Sequence, residues 1–163
     1  METYISRTVC VSKAAMSTGD PYPKNVFLLC KNYDLDLENL QLNCIFCCSA
    51  LTNVEVVSFA YKELNLVWKD QFPHGACAKC LVAAGKLRQF RHWQYSCYAS
   101  TVEKETGKSI AELFMRCYLC HKPLCSVEKN YIIEGNLRFH KIADYWRGAC
   151  LHCRRPCTDD SQL

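Results

Sequence analysis

The residues of this chain best equipped for chemistry are its cysteines, and their spacing says which chemistry. Cys44-x-x-Cys47 is followed, after a gap of 29 residues, by Cys77-x-x-Cys80. Cys117-x-x-Cys120 is followed, after the same gap of 29, by Cys150-x-x-Cys153. Every one of these positions recurs at an offset of 73. Two cysteines separated by two residues close a tight knuckle around a metal, and two knuckles complete a tetrahedral thiolate shell. The spacing predicts two structural Zn²⁺ sites, each organising one half of a duplicated protein.

The segments that must hold these knuckles repeat as well. Sliding residues 37–84 onto 110–157 brings Leu40 onto Leu113, Leu51 onto Leu124, Val54-Glu55 onto Val127-Glu128 and Leu64 onto Leu137. Gly75-Ala76 falls on Gly148-Ala149, where glycine is expected to permit a turn that aims the next cysteines inward. Residues 54–61 and 127–133 have helix-like apolar spacing, each followed by a β-prone run, Leu66-Val67-Trp68 or Leu137-Arg138-Phe139. Residues 81–95 read as a helix, 101–107 as a polar linker, and Ser109-Ile-Ala-Glu112 as a capping box. The fold class predicted is a small α+β zinc-binding protein, two duplicated four-cysteine zinc modules joined by a connecting helix. Its parts are a flexible extension (1–23), a first zinc module (24–80), a connecting helix and linker (81–108), a second module (109–156) and a tail (157–163). Met16 is a candidate alternative start.

Modules of about 70 residues lie near the lower limit for a self-sufficient core. Zinc offsets that deficit, contributing roughly 10–16 kcal/mol of apparent binding free energy per site. Fourteen cysteines would also suit a secreted disulfide scaffold, but Val26-Phe27-Leu28-Leu29 is too short for a signal sequence. No stretch approaches the ~20 apolar residues of a membrane span, so a reducing compartment and no membrane partner are expected. The formal charge of +4 counts every thiol as neutral. Eight thiolates around two dications remove about that much, which weakens a nucleic-acid reading based on charge alone.

These residues carry a resemblance. The duplicated 29-residue gaps, the connector sequence Phe90-Arg-His-Trp-Gln-Tyr-Ser-Cys-Tyr98 and Cys117-Tyr-Leu-Cys-His-Lys-Pro-Leu124 closely resemble early protein six of papillomaviruses, of the mucosal kind. The resemblance covers residues 24–156. It implies a non-enzymatic viral adaptor and oncoprotein that seizes a host HECT-type ubiquitin ligase through an acidic Leu-x-x-Leu-Leu helix. The ligase would be redirected toward host proteins, including the p-fifty-three tumour suppressor. It further implies blunted apoptosis and innate immunity, modulated transcription, self-association, and residence in host nucleus and cytoplasm. Carried over by position, the floor of the peptide cleft would include Ile45, Phe46, Leu64, Val67 and Leu81, and its basic rim Lys24, Lys69, Arg88 and Arg116. Tyr61 and Glu63 would belong to the surface for targets or self-association. Tyr145 stands where strongly transforming relatives place an arginine, with Arg147 as a neighbouring replacement charge, and Ala84 stands where they place an aromatic residue.

The chain ends Asp159-Asp-Ser161-Gln-Leu163, a Ser-x-Leu carboxylate of the kind PDZ domains take as an added strand, with Ser161 and Leu163 as specificity residues. Three rival readings are weaker. A cross-braced RING ligase would interleave its ligand pairs, whereas each half here holds a complete set. A thiol oxidoreductase needs CxxC pairs that metal does not close. DNA binding through Lys86, Arg88, Arg91, His92, Trp93 and Arg154-Arg155 finds no base-reading helix of the finger type and would be weak. The remaining cysteines, 10, 30, 48, 97, 125 and 157, read as free thiols, with Cys48 and Cys157 as possible alternative ligands.

Overall fold

The computed structural model describes residues 21–154, so Met16, Cys10, Cys157, Ser161 and Leu163 lie outside the described residues. The chain divides between Cys80 and Leu81 into two compact units.

The first unit runs α1 (Val26–Tyr33), a 3-10 turn (Leu37–Asn39), β1 (Asn43–Cys44), α2 (Asn53–Tyr61), β2 (Val67–Lys69) and β3 (Phe72–Gly75). Asn25 caps α1, its side chain accepting the Leu28 N–H at 2.8 Å. Thr52 and Glu55 form a reciprocal capping box at the start of α2. The sheet order is β1-β3-β2, with β1 parallel to β3 and β2 antiparallel to it. The core gathers Val26, Leu29, Leu42, Leu51, Val56 and Phe59. Of the extension assigned to residues 1–23, residues 21–23 are tied down: Tyr33 donates to the Pro21 carbonyl and Trp68 Nε1 to the Pro23 carbonyl.

The helix α3 (Ala78–His92) carries Cys80 in its first turn and runs on into the second unit. There follow β4 (Trp93–Cys97), α4 (Ala99–Thr106), β5 (Arg116–Cys117), α5 (Ser126–Glu134), β6 (Phe139–Ile142) and β7 (Tyr145–Gly148), in sheet order β4-β6-β7-β5. The core cluster comprises Val102, Ile110, Met115, Leu124, Ile132 and Phe139 with the zinc-group cysteines beside them. Among the described residues no helix is long and apolar enough to cross a membrane.

Four sequence expectations are corrected. The connecting helix begins earlier than residue 81 and stops at His92, because Trp93–Cys97 pairs with β6 as an added edge strand. Ladder pairing with Phe139, His140 and Ile142 outweighs its helix-compatible spacing. The stretch 101–107 is not a linker but most of α4, ended by Gly107 at φ 66 and anchored by Val102, which is fully buried. Ser109-Ile-Ala-Glu112 opens only a turn, in which Glu112 reaches back to the Ser109 N–H at 3.2 Å. Gly75 and Gly148 do not make turns; they end β3 and β7. A Cβ at Gly148 would lie 2.6 Å from Ile132 Cδ1, and one at Gly75 3.2 Å from Leu51 Cδ2, so both glycines are pressed against core side chains.

The duplication extends into the backbone where the residues differ. Left-handed residues recur at the offset of 73: Cys48 and His121, Glu63 and Asn136, Asp70 and Ala143, Gln71 and Asp144. The last two pairs are the central residues of two-residue hairpins, whose right-handed twist requires positive φ at both positions.

Candidate metal centres

Each cysteine group is assembled by the same pieces. Cys44 and Cys117 end the short parallel strands β1 and β5, fixed to β3 and β7. The chain then turns through Cys47 or Cys120 and is bent back at the left-handed Cys48 or His121. The turn is closed by Cys48 N–H to Cys44 O at 2.9 Å and His121 N–H to Cys117 O at 3.1 Å. The second knuckles leave β3 and β7: Cys77 and Cys80 enter α3, whereas Cys150 leads into the turn that holds Cys153. Backbone N–H groups point at sulfur, Cys77 N to Cys44 Sγ and Cys150 N to Cys117 Sγ, both at 3.4 Å.

The sulfurs fit zinc. Within each group of four, the Sγ atoms lie within 4.8 Å of one another. Cys47 and Cys77 approach to 3.8 Å, and Cys120 and Cys150 to 3.7 Å. A tetrahedron with Zn–S bonds of about 2.3 Å has S···S edges of about 3.8 Å. Ionisation behaves accordingly. Hydrogen bonds from Ser49 pull the Cys47 thiol down to about 6, while a hydrogen bond to Cys77 pushes Cys80 up to about 12. In the second group Cys117 is driven well down by bonds from Cys120 and Cys150, and Cys120 well up by donating to Cys117. Clustered thiols that release one proton readily and hold the next need a dication to ionise together. The chain therefore carries two zinc sites, and the metal supplies a cross-link between knuckles.

Burial separates the sites. In the first, only Cys44 is buried and Cys47 is exposed; in the second, Cys117, Cys120 and Cys150 are all buried.

Sequence reasoning passed over the residues that brace the knuckles. Glu55 takes the Thr52 N–H on one oxygen and the Ala78 N–H on the other, at 3.0 and 3.1 Å. Glu128 does the same with Cys125 and Leu151, at 3.0 and 3.3 Å. Each carboxylate thus ties a helix N-terminus to the second knuckle of its site. Burial pushes Glu128 up, but bonds from Lys122, at 2.7 Å, and from the two backbone groups outweigh it and its pKa falls. The repeated Val-Glu pair was the signal that could have found them. His121, which by spacing alone suggests no base or triad, is buried here: burial and nearby Arg147 lower its pKa, and its Nε2 lies 3.2 Å from the Leu81 carbonyl. Gly85 of α3 is pressed to this knuckle, since a Cβ there would lie 2.5 Å from the Tyr118 and Leu119 carbonyls.

The residues assigned to a peptide cleft are distributed over both units. Lys24, Phe46, Val67, Lys69 and Arg88 are exposed, Ile45, Leu64 and Arg116 half-buried, and Leu81 buried. Tyr61 is 70% exposed, with its ring edge-on to Phe27, and neighbouring Glu63 is left-handed and exposed.

Residues 44–153, the span of both cysteine groups, match the family described as Early Protein (E6). "Protein E6" of human papillomavirus 27 is 56% identical over 147 residues, covering 90% of this chain and 92% of that protein. "Protein E6" of human papillomavirus 57 is 54% identical over 146 residues, covering 90% and 95%. A solved solution structure, the C-terminal zinc-binding domain of HPV51 oncoprotein E6, is 37% identical, covering 42% of this chain and 93% of that one at a TM-score of 0.36. Two four-cysteine shells, set 73 residues apart and matched by relatives along nine-tenths of the chain, place this protein in the papillomavirus Early Protein (E6) family.

Proposed function

We propose that this protein is a non-enzymatic adaptor that captures a host HECT-type ubiquitin ligase through an acidic Leu-x-x-Leu-Leu helix. The ligase is redirected to host regulatory proteins, the p-fifty-three tumour suppressor among them. One observation carries the reading: apolar side chains lie uncovered on strand β2 and on the turn after β1, with lysines near them. Phe46 is 63% and Val67 46% exposed. Val67 registers with His74 of β3, and Ile45 donates to the Gly75 carbonyl, so both flank the same strand. Lys69 stands two residues from Val67, on the same face of β2. Lys24 is held beside them, its carbonyl accepting the Leu66 N–H at 2.7 Å. An apolar strip with a basic margin suits the leucine face and acidic flanks of such a helix. The zinc sites support a scaffold role, because four thiolates leave no coordination position for water or substrate. Binding of a synthetic acidic Leu-x-x-Leu-Leu peptide tests the reading. Phe46→Ser and Leu64→Ala should each weaken it at least about tenfold at unchanged zinc content; equal affinity for both variants removes the cleft.

Further parts of the proposal follow the family. The adaptor acts in host nucleus and cytoplasm, counters apoptosis and innate immune signalling, modulates transcription, and self-associates through the surface around Tyr61 and Glu63. Ser161 and Leu163 engage class I PDZ domains; deleting Leu163 should abolish that binding. A second reading, weak DNA binding, has its own support. Phe90 is 88% and Trp93 52% exposed, and with Lys86, Gln89, Ser96 and His140 they line a cavity of about 510 Å³. A steep loss of DNA affinity with salt would favour it.

A further inference from the structure

Lys86, Gln89 and Phe90 fall on one face of α3. With Trp93 and Ser96 of β4 and His140 of β6 they line an open cavity of about 510 Å³, built wholly within the second unit. Ligand sites usually measure roughly 300–1,000 Å³. Phe90 is 88% and Trp93 52% exposed, so two large aromatic rings meet one hollow with little cover. The indole is held in place: its Nε1 donates to Ser96 Oγ at 2.9 Å, and that oxygen shares a hydrogen bond with His140 Nδ1 at 2.6 Å. A ring already fixed loses little freedom when a ligand stacks on it.

The charge beside the cavity has one sign. From Leu81 to Val102 the chain carries Lys86, Arg88 and Arg91 and no Asp or Glu. Among the described residues neither Lys86 nor Arg91 has an ion-pair partner. The acids that follow are engaged: Glu103 accepts the Ile110 N–H at 2.9 Å, Glu105 the Tyr95 hydroxyl at 2.6 Å, and Asp144 the Gln94 amide at 2.8 Å. Together these features select a ligand. An aromatic face is negative and gains nothing from a bare carboxylate, while Lys86 and Arg91 repel a cation. A flat ring tethered to an anion satisfies both conditions. Bases inside a duplex have their faces already stacked, so only an unpaired base enters without an unstacking cost.

We propose, resting on the DNA reading above, that this cavity takes one unpaired base of single-stranded DNA, stacked on Phe90 and Trp93 with its phosphate at Lys86. Gln89 offers a donor and an acceptor to the edge of the base. Arg91, exposed and outside the lining, serves the next phosphate.

The test is fluorescence anisotropy on full-length zinc-loaded protein, with a labelled single strand of about 12 nucleotides as probe. The same strand annealed to its complement, and an abasic strand that keeps the phosphates, are the comparisons. Wild type should bind the intact strand at least about tenfold more tightly than either. Phe90→Ala should cost about fivefold to hundredfold on the intact strand at unchanged zinc content, and Phe90→Tyr should recover most of it. Lys86→Gln should lower the slope of log affinity against log salt by about one. Equal affinity of wild type for intact and abasic strands, or no loss with Phe90→Ala, overturns the base pocket; a steep salt dependence then leaves the DNA reading standing without it. Binding to no DNA of any kind ends both. Displacement of the strand by polyglutamate at equal charge concentration assigns the surface to an acidic protein and likewise overturns the proposal.

Discussion

His140 is a residue whose charge the fold controls, and it shows how a local network reaches stability. Trp93 Nε1 can only donate, so Ser96 Oγ accepts it at 2.9 Å, and the same oxygen shares a hydrogen bond with His140 Nδ1 at 2.6 Å. Burial, with Arg138 nearby, lowers the His140 pKa below the ordinary value near 6.5. The folded state therefore binds the proton less well than the unfolded state. Its contribution is complete above about pH 6.5 and is lost as pH falls through the folded value. Urea denaturation of zinc-loaded protein at about pH 7.5 and about pH 5.5 should show a smaller pH loss for His140→Gln than for wild type. The glycines offer a second comparison at this scale. Gly148→Ala drives a methyl to 2.6 Å from Ile132 and should cost about 1–3 kcal/mol. Gly75→Ala meets only the tip of Leu51 at 3.2 Å and should cost less in the same measurement. That contrast was invisible in the sequence, where the two glycines are equivalent; facing side chains distinguish them.

Helices and strands here are short, and each is stable because a knuckle or a carboxylate finishes it. α2 and α5 are both nine residues long, below the length at which an isolated helix persists in water. Their positions were legible from apolar spacing and the repeated Val-Glu pair. Their second task was not, because the Glu55–Ala78 and Glu128–Leu151 bonds each span 23 residues. Glu128→Gln should lower zinc affinity of the second site about tenfold to hundredfold, as loss of an outer-shell brace does, with Glu55→Gln acting likewise on the first. Competition with a chromophoric chelator reads both. Strand β4 escaped sequence reasoning for a related reason: residues 93–95 continue a helical pattern, and only β6 alongside makes them a strand. Hairpin turns at Asp70-Gln71 and Ala143-Asp144 carry no Asn-Gly signature, so positive φ is imposed by the strands they join.

At the scale of the whole molecule, duplication gives two sites of one design and unequal shelter. Cys47 is exposed, and hydrogen bonding draws its thiol down to about 6, whereas three ligands of the second site are buried. Chelator or mild oxidant should therefore remove zinc from the first site first, and Cys47 should be alkylated before any of the second set. Mass spectrometry after partial metal release checks the order; simultaneous or reversed loss would contradict it. The sequence alone determined the ligand sets, the offset between them, the α+β character and the family, because metal geometry constrains spacing tightly enough to be read from a linear chain. Only the tertiary structure decided which glycine is packed against what, which carboxylates brace the knuckles, and that Arg147 lies buried with its Nε and Nη1 unanswered. Those outcomes depend on neighbours distant in sequence, and a spacing pattern carries no record of who will face whom.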